Sequence, residues 1–267
     1  MNLQDLKTKA QKLLESNTVN VIIGYGQGSG GEVRPVFIRK PADIDKLVLN
    51  DKCVQNLAVY LTKHEIKKLG KPGIVAPLPV TRAIYQLMLE KQIADGEIVV
   101  LGIKNNGIIT ELTDNKSIRS FISDVPSELT SEEKARLSEI KSLSQQDKWR
   151  YWDEELSACI KCYACKSSCP LCYCSRCTIE CNQPQWISVP SHLLGNMEWH
   201  IMRAMHLAGR CVNCGECARA CPMGIPLNLL TQRLSEVIEK TFGTSESAEA
   251  FYPLSTFNVN DKEDFIR

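Results

Sequence analysis

The sequence predicts an α+β chain of two domains, a small N-terminal α/β domain followed by a helical domain built around cysteines. Three observations predict it. Strand-like and helix-like apolar patterns alternate over about the first hundred residues, as in units that build a partly parallel sheet. Past the middle of the chain only helical spacing remains. Of 13 cysteines, 12 fall between Cys159 and Cys221. At 267 residues the chain can bury two cores. The expected boundaries are 1–113 for the α/β domain, 114–148 for a helical connector, 149–243 for the cysteine domain and 244–267 for an extended tail.

Leu3, Leu6, Ala10, Leu13 and Leu14 lie at helical spacing, giving a first amphipathic helix. Residues 19–25 read as a strand, Gly26 to Gly31 as a turn and residues 33–39 as a second strand. Pro41 suits the first turn of a helical pattern reaching Leu49. A further helix is expected over 54–68, stopped by Gly70 and Pro72. Then come a strand over 73–76, a helix over 81–92 and a buried strand over 97–103. Thr130 and Glu133 form a capping box ahead of a helix ending near Leu143. Residues 186–210 carry another helical pattern, through Met197, Ile201, Ala204, Met205 and Ala208. The Ser/Glu-rich tail reads as extended, placed to lie along a partner subunit.

Composition excludes several classes. Lys+Arg (32) and Asp+Glu (31) nearly cancel, so no global field draws nucleic acid or anionic membrane. No apolar run reaches the roughly 18 residues of a membrane span, and no signal peptide is read at the N-terminus. A cytoplasmic protein is expected. In a reducing compartment, thiols this closely spaced act as metal ligands rather than disulfides. No nucleophile–base pair stands out.

The cysteines form an internal repeat: Cys159-x-x-Cys162-x-x-Cys165-x-x-x-Cys169-Pro170 and Cys211-x-x-Cys214-x-x-Cys217-x-x-x-Cys221-Pro222. This is the spacing of bacterial ferredoxins, in which the fourth cysteine of each run ligates the other of two clusters. Three cysteines at steps of three wrap three corners of a cubane, and the proline turns the chain away. By that rule Cys159, Cys162, Cys165 and Cys221 hold one [4Fe–4S] cluster, and Cys211, Cys214, Cys217 and Cys169 the other. Zinc also accepts four thiolates, but seldom from such a run. The 41 residues between the motifs have a helical pattern, which points to an α-helical ferredoxin-type dicluster domain. Cys172, Cys174, Cys177 and Cys181 follow at once and leave three readings: a third [4Fe–4S] cluster, a zinc ion, or no metal of their own. Cys53, alone in an apolar context, reads as a buried structural thiol.

The glycines Gly24, Gly26, Gly28, Gly30 and Gly31 sit between two strands. A phosphate-binding turn needs a helix behind it, so a hairpin is the preferred reading. His192, His200 and His206 read as surface or packing residues. Trp149, Trp152, Tyr163 and Tyr173 read as shields that keep water from the clusters. Lys161, Lys166, Arg176 and Arg210 read as solvated charges.

The stretch Ala204-Met-His-Leu-Ala-Gly-Arg-Cys211 through Cys221-Pro-Met-Gly-Ile-Pro226 resembles the α-helical ferredoxins. These include the small iron–sulfur subunit of heterodisulfide reductases and the iron–sulfur subunits of fumarate and succinate oxidoreductases. More widely, Val21-Ile-Ile-Gly-Tyr, Val33-Arg-Pro-Val-Phe-Ile-Arg, Cys53-x-x-Asn56-Leu-Ala-x-Tyr60-Leu and Cys159-Ile-Lys-Cys-Tyr-Ala-Cys through Cys169-Pro-Leu-Cys-Tyr-Cys174 occur together. Over residues 20–230 the chain resembles short dicluster members of the coenzyme F420 hydrogenase/dehydrogenase beta-subunit family, which includes formate dehydrogenase beta subunits. Members pass electrons between a flavin or F420 site and partner redox subunits, and larger members bind FAD. Here Ala76-Pro-Leu-Pro-Val-Thr-Arg82 stands where the family's Gly-Cys-Asp-Ser-Arg-like turn is expected. Only Arg82 matches, which counts against FAD.

The resemblance implies an iron–sulfur electron-transfer subunit of a cytoplasmic, anaerobic oxidoreductase complex. It would relay single electrons between a flavoprotein or catalytic subunit and a partner redox module. Implied partners in this hetero-oligomer are a flavoprotein, a formate dehydrogenase or hydrogenase, or a heterodisulfide-reductase-like module. The alternative is a flavin-containing subunit oxidising or reducing F420 or NAD(P)H.

Overall fold

The computed structural model describes residues 2–123, 129–181 and 184–242. They fall into two compact units that divide between residues 126 and 127. The expected tail, 244–267, lies outside the described residues.

In the first unit α1 (Leu3–Glu15) starts where the Asn2 side chain accepts the Asp5 N–H at 3.0 Å, and it buries Leu6, Ala10, Leu13 and Leu14. β1 (Val21–Gln27) and β2 (Val33–Ile38) form a hairpin in the register Ile22↔Ile38 to Gln27↔Val33. The turn closes when the Gly28 N–H donates to the Glu32 carbonyl at 2.7 Å. A Cβ on Gly24 would sit 2.4 Å from Leu47 Cδ2, and one on Gly26 2.3 Å from Val36 Cγ1. Both glycines are therefore explained by close packing of the strand, and the chain runs on into β2 with no long helix opening behind the turn.

A 3-10 segment follows at Pro41–Lys46. Residues 54–68, expected as one helix, instead form a 3-10 turn at Leu57–Tyr60 and a single turn, α2 (His64–Lys67). The Asn56 side chain accepts the Ala58 N–H and caps a new turn, and Lys63 is extended, so local capping competes successfully with a continuous helix. β3 (Pro72–Pro77), α3 (Leu78–Leu89), β4 (Val99–Ile103), β5 (Ile109–Leu112) and α4 (Asn115–Ser123) complete the unit. The sheet order is β2-β1-β3-β4-β5; β1, β3 and β4 are parallel and the outer strands antiparallel. Every residue of β4 is buried, the mark of a strand covered on both faces. α4, from the stretch expected as connector, buries Ile118, Phe121 and Ile122, and a Cβ on Gly102 of β4 would meet Phe121 Cζ at 2.9 Å.

The second unit is helical: α5 (Ser131–Ser142), α6 (Gln145–Ser157), α7 (Ala164–Ser167), α8 (Leu193–His206), α9 (Glu216–Arg219) and α10 (Leu227–Phe242). The capping box opens α5, with the Glu133 N–H donating to Thr130 Oγ1 at 3.2 Å and the Thr130 N–H to Glu133 Oε2 at 2.8 Å. Leu156, Ile179, Ile187, Met197, Trp199, Ile225 and Leu227 form the main core, with Cys165 among them. A smaller cluster of Leu137, Ile140 and Leu229 joins α5 to α10, and Asn228 Nδ2 donates to Glu133 Oε1 at 2.5 Å. Among the described residues no helix is long and apolar enough to cross a membrane.

Candidate metal centre

The two cysteine runs have one backbone, repeated 52 positions later. Lys161 and Asn213 both take a left-handed conformation at φ 53°; so do Tyr163 (58°) and Gly215 (74°). The single turns α7 and α9 occupy matching positions. Their hydrogen bonds match too: Lys166 N–H to Tyr163 O at 3.0 Å and Ala218 N–H to Gly215 O at 3.1 Å, then Cys169 N–H to Lys166 O and Cys221 N–H to Ala218 O, both at 3.1 Å. Left-handed residues between right-handed ones turn backbone N–H groups to one side and form a nest for anions, a recurring feature of iron–sulfur sites. The Lys161 N–H donates to Cys159 Sγ at 3.3 Å, and the Asn213 N–H donates to the Cys211 sulfur. A non-glycine residue in this region costs roughly 1–2 kcal/mol. Three such residues in two equivalent loops indicate that the surroundings impose the shape.

Cys159, Cys162, Cys165 and Cys221 line one cavity with Tyr163 and His200. This is the first predicted set, brought together from both motifs. Cys211 and Cys214 each lie near Cys217, whose thiol their charges push up. Cys169 shares a hydrogen bond with Cys172. Cys172, Cys174 and Cys177 line a separate cavity of about 260 Å³, and Cys181 lies one turn past Cys177, its N–H donating to the Cys177 carbonyl at 2.8 Å. Cys53 is buried in the first unit, remote from these in sequence.

Burial raises the Cys159 thiol, partly offset by the Lys161 N–H and reinforced by the charges of Cys221 and Cys162. Burial pushes Cys165 up to about 11 and Cys217 up to about 12, with Arg203 pulling each back. Such thiols keep their protons in the metal-free chain, so metal uptake must release protons.

α6 and α8 hold the first motif in place. Asn196, wholly buried on α8, donates through Nδ2 to the carbonyls of Leu156 (3.1 Å) and Cys159 (2.9 Å). Lys161, expected as a solvated charge, is buried and donates through Nζ to the Ser188 carbonyl.

Three α8 side chains outside the cysteine motifs stand against the sulfurs. His200 Nε2 is 3.2 Å from Cys159 Sγ and the residue is 3% exposed, so it serves the site rather than the surface. Trp199 packs edge-on to Tyr163 at 5.3 Å and to His200 at 4.9 Å. Arg203 is 4% exposed and donates through Nη2 to the Cys165 carbonyl at 3.0 Å. Their 199, 200, 203 spacing on one helix face is the signal that could have found them. Of the expected shields, Tyr163 and Trp152 pack on the core. Trp149 is 61% exposed and does not.

Among the described residues no three His, Cys, Asp or Glu side chains are arranged to hold a single ion. A cubane asks for a different layout, one thiolate per corner around a cavity lined by N–H donors. Cys159, Cys162, Cys165 and Cys221 with their nest provide it, and a soft all-thiolate donor set fits iron–sulfur chemistry.

Comparison with known proteins supports iron–sulfur chemistry in this unit. A family model described as a 4Fe–4S dicluster domain matches residues 172–226, which takes in Cys172 to Cys221 and leaves Cys159 to Cys169 upstream. Over 115 residues the chain is 37% identical to the F420-dependent formate dehydrogenase subunit beta of Methanocaldococcus jannaschii. The match covers 42% of this chain and 28% of that relative, so the chain spans less than a third of the relative's length.

Proposed function

We propose that this chain, a member of the coenzyme F420 hydrogenase/dehydrogenase beta-subunit family carrying a 4Fe–4S dicluster domain, is an electron-relay subunit of an anaerobic, cytoplasmic oxidoreductase complex. The observation that carries the reading is the convergence of Cys159, Cys162, Cys165 and Cys221, from two stretches of chain, on one cavity. In this reading those four hold one [4Fe–4S] cluster, and Cys211, Cys214, Cys217 and Cys169 hold the second. Each cluster, when bound, takes up and gives back one electron at a time. The chain's own part is to bind, to exclude water and to set charge. Leu156, Trp199, Ile225 and Leu227 supply the dry wall. Arg203 feels the charges of Cys172, Cys169, Cys217 and Cys165 and so balances negative charge in both sites.

The likeness to a formate dehydrogenase beta subunit supports a partner that is a flavoprotein, a formate dehydrogenase or hydrogenase catalytic subunit, or a heterodisulfide-reductase-like module. A flavin of the chain's own is disfavoured by the glycine turn, whose first two glycines are accounted for by packing. A flavin absorbance band in anaerobically purified protein would favour the alternative, a subunit acting on F420 or NAD(P)H. The direct test is iron and sulfide analysis with low-temperature EPR. Cys162→Ala and Cys214→Ala are each expected to remove one cluster's signal and about four irons. Iron content and spectra unchanged in both variants would refute the ligand sets.

A further inference from the structure

Once the repeated motifs are assigned two clusters, Cys172, Cys174, Cys177 and Cys181 remain, and three of them line their own cavity of about 260 Å³. The cavity is walled by Leu171, Ile179, Trp199 and Leu207 and carries cationic side chains on its lining, Lys166, Arg203 and Arg210. Arg203 is the telling residue. At 4% exposure it is charged and almost wholly removed from water, and its Nε has no hydrogen-bond partner. Its Nη2 is used by the Cys165 carbonyl, and the guanidinium also hydrogen-bonds the Cys172 sulfur. A buried cation with an idle donor is costly unless something negative accepts from it.

From this we infer a third metal centre: a [4Fe–4S] cluster held by Cys172, Cys174 and Cys177, with Cys181 as the fourth donor and Arg203 Nε donating to the cluster. Cys181 is exposed and does not line the cavity, but the turn that brings its N–H to the Cys177 carbonyl keeps it next to the other three. Four thiolates around a cubane leave net negative charge, which Arg203 and Arg210 on the wall offset, Lys166 being paired with Glu180. Zinc, filled by its four thiolates, would leave the Arg203 donor idle. The inference rests on the relay reading, because it supposes that Cys169 serves the second cluster and leaves Cys172 free.

The test is metal and acid-labile sulfide analysis of the full chain purified without oxygen, with EPR of the reduced protein. Wild type is expected to carry about twelve irons, and Cys174→Ser/Cys177→Ser about eight, with two of three reduced-cluster signals unchanged. About eight irons in wild type, with or without one zinc, overturns the third centre and leaves the two-cluster relay standing. Iron-free wild type overturns both. If the double variant does not fold, the wild-type count alone decides. Arg203→Met adds a readout besides metal content: it is expected to lower the third centre's reduction potential, and an unchanged potential removes Arg203 from the site.

Discussion

His200 is a neutral imidazole held between a thiol and two cations, and it stays neutral down to about pH 4. Burial lowers its pKa most, with Arg203 and Lys161 adding to the effect. Unfolded, it titrates near 6.5. The unfolded chain therefore binds the extra proton between pH 6.5 and 4, so this residue's contribution to stability is present above 6.5 and lost as pH falls toward 4. The shift corresponds to about 3 kcal/mol at most. His200→Gln should flatten the pH dependence of the denaturant midpoint over that window; parallel curves for wild type and variant would show that His200 does not carry it. Gly215 offers a conformational counterpart. At φ 74° a Cβ would sit 2.6 Å from Arg219 Nη1, whose guanidinium is held by Glu216 and the Cys214 carbonyl. Gly215→Ala should therefore cost at least about 1–2 kcal/mol, backbone strain with displacement of Arg219 added. An unchanged melting temperature would mean that the loop relaxes. Single residues were the least legible level of the sequence. The cysteines announce themselves by spacing, whereas His200, Trp199 and Arg203 gain their roles only when α8 is laid against the first motif.

Elements read better where their signals are local. The capping box at Thr130 and Glu133 is complete in the sequence and in the structure. Thr130→Ala should destabilise the helical unit by about 1 kcal/mol, measurable as a lower denaturant midpoint with unchanged slope. β5 carried a readable signal that the strand–helix alternation hid: Asn106-Gly107 before an alternating run. The structure puts Gly107 at φ 80° and closes the hairpin with the Lys104 N–H on the Ile108 carbonyl at 3.0 Å. The helix expected over 54–68 fails for the opposite reason. Its apolar periodicity is real, but Asn56 spends its side chain on a turn of its own.

At the scale of the whole chain, the alternation of strands and helices and the cysteine repeat were enough to separate the parallel-centred sheet from the helical unit. The crossing rule already named Cys159, Cys162, Cys165 and Cys221 as one set, and these four share a cavity. What could not be read is that Cys172, Cys174 and Cys177 line a cavity of their own, because that depends on packing against α8, far away in sequence. The division predicts unequal dependence on metal. Chelation under anaerobic reducing conditions should strip hydrogen-exchange protection from residues 159–221 while β1, β3 and β4 keep theirs, since metal-binding energy is folding energy only where the ligands lie. Uniform loss across the chain would contradict this. The shared cavity of Cys159, Cys162, Cys165 and Cys221 also has a consequence for biosynthesis. A ribosome that has just made Cys165 must add 56 more residues before Cys221 exists, which at about 5–20 residues per second takes roughly 3–11 seconds. Through that interval the nascent chain bears an open three-cornered basket of thiols, exposed to oxygen and stray metals, and only the last corner lets the basket close.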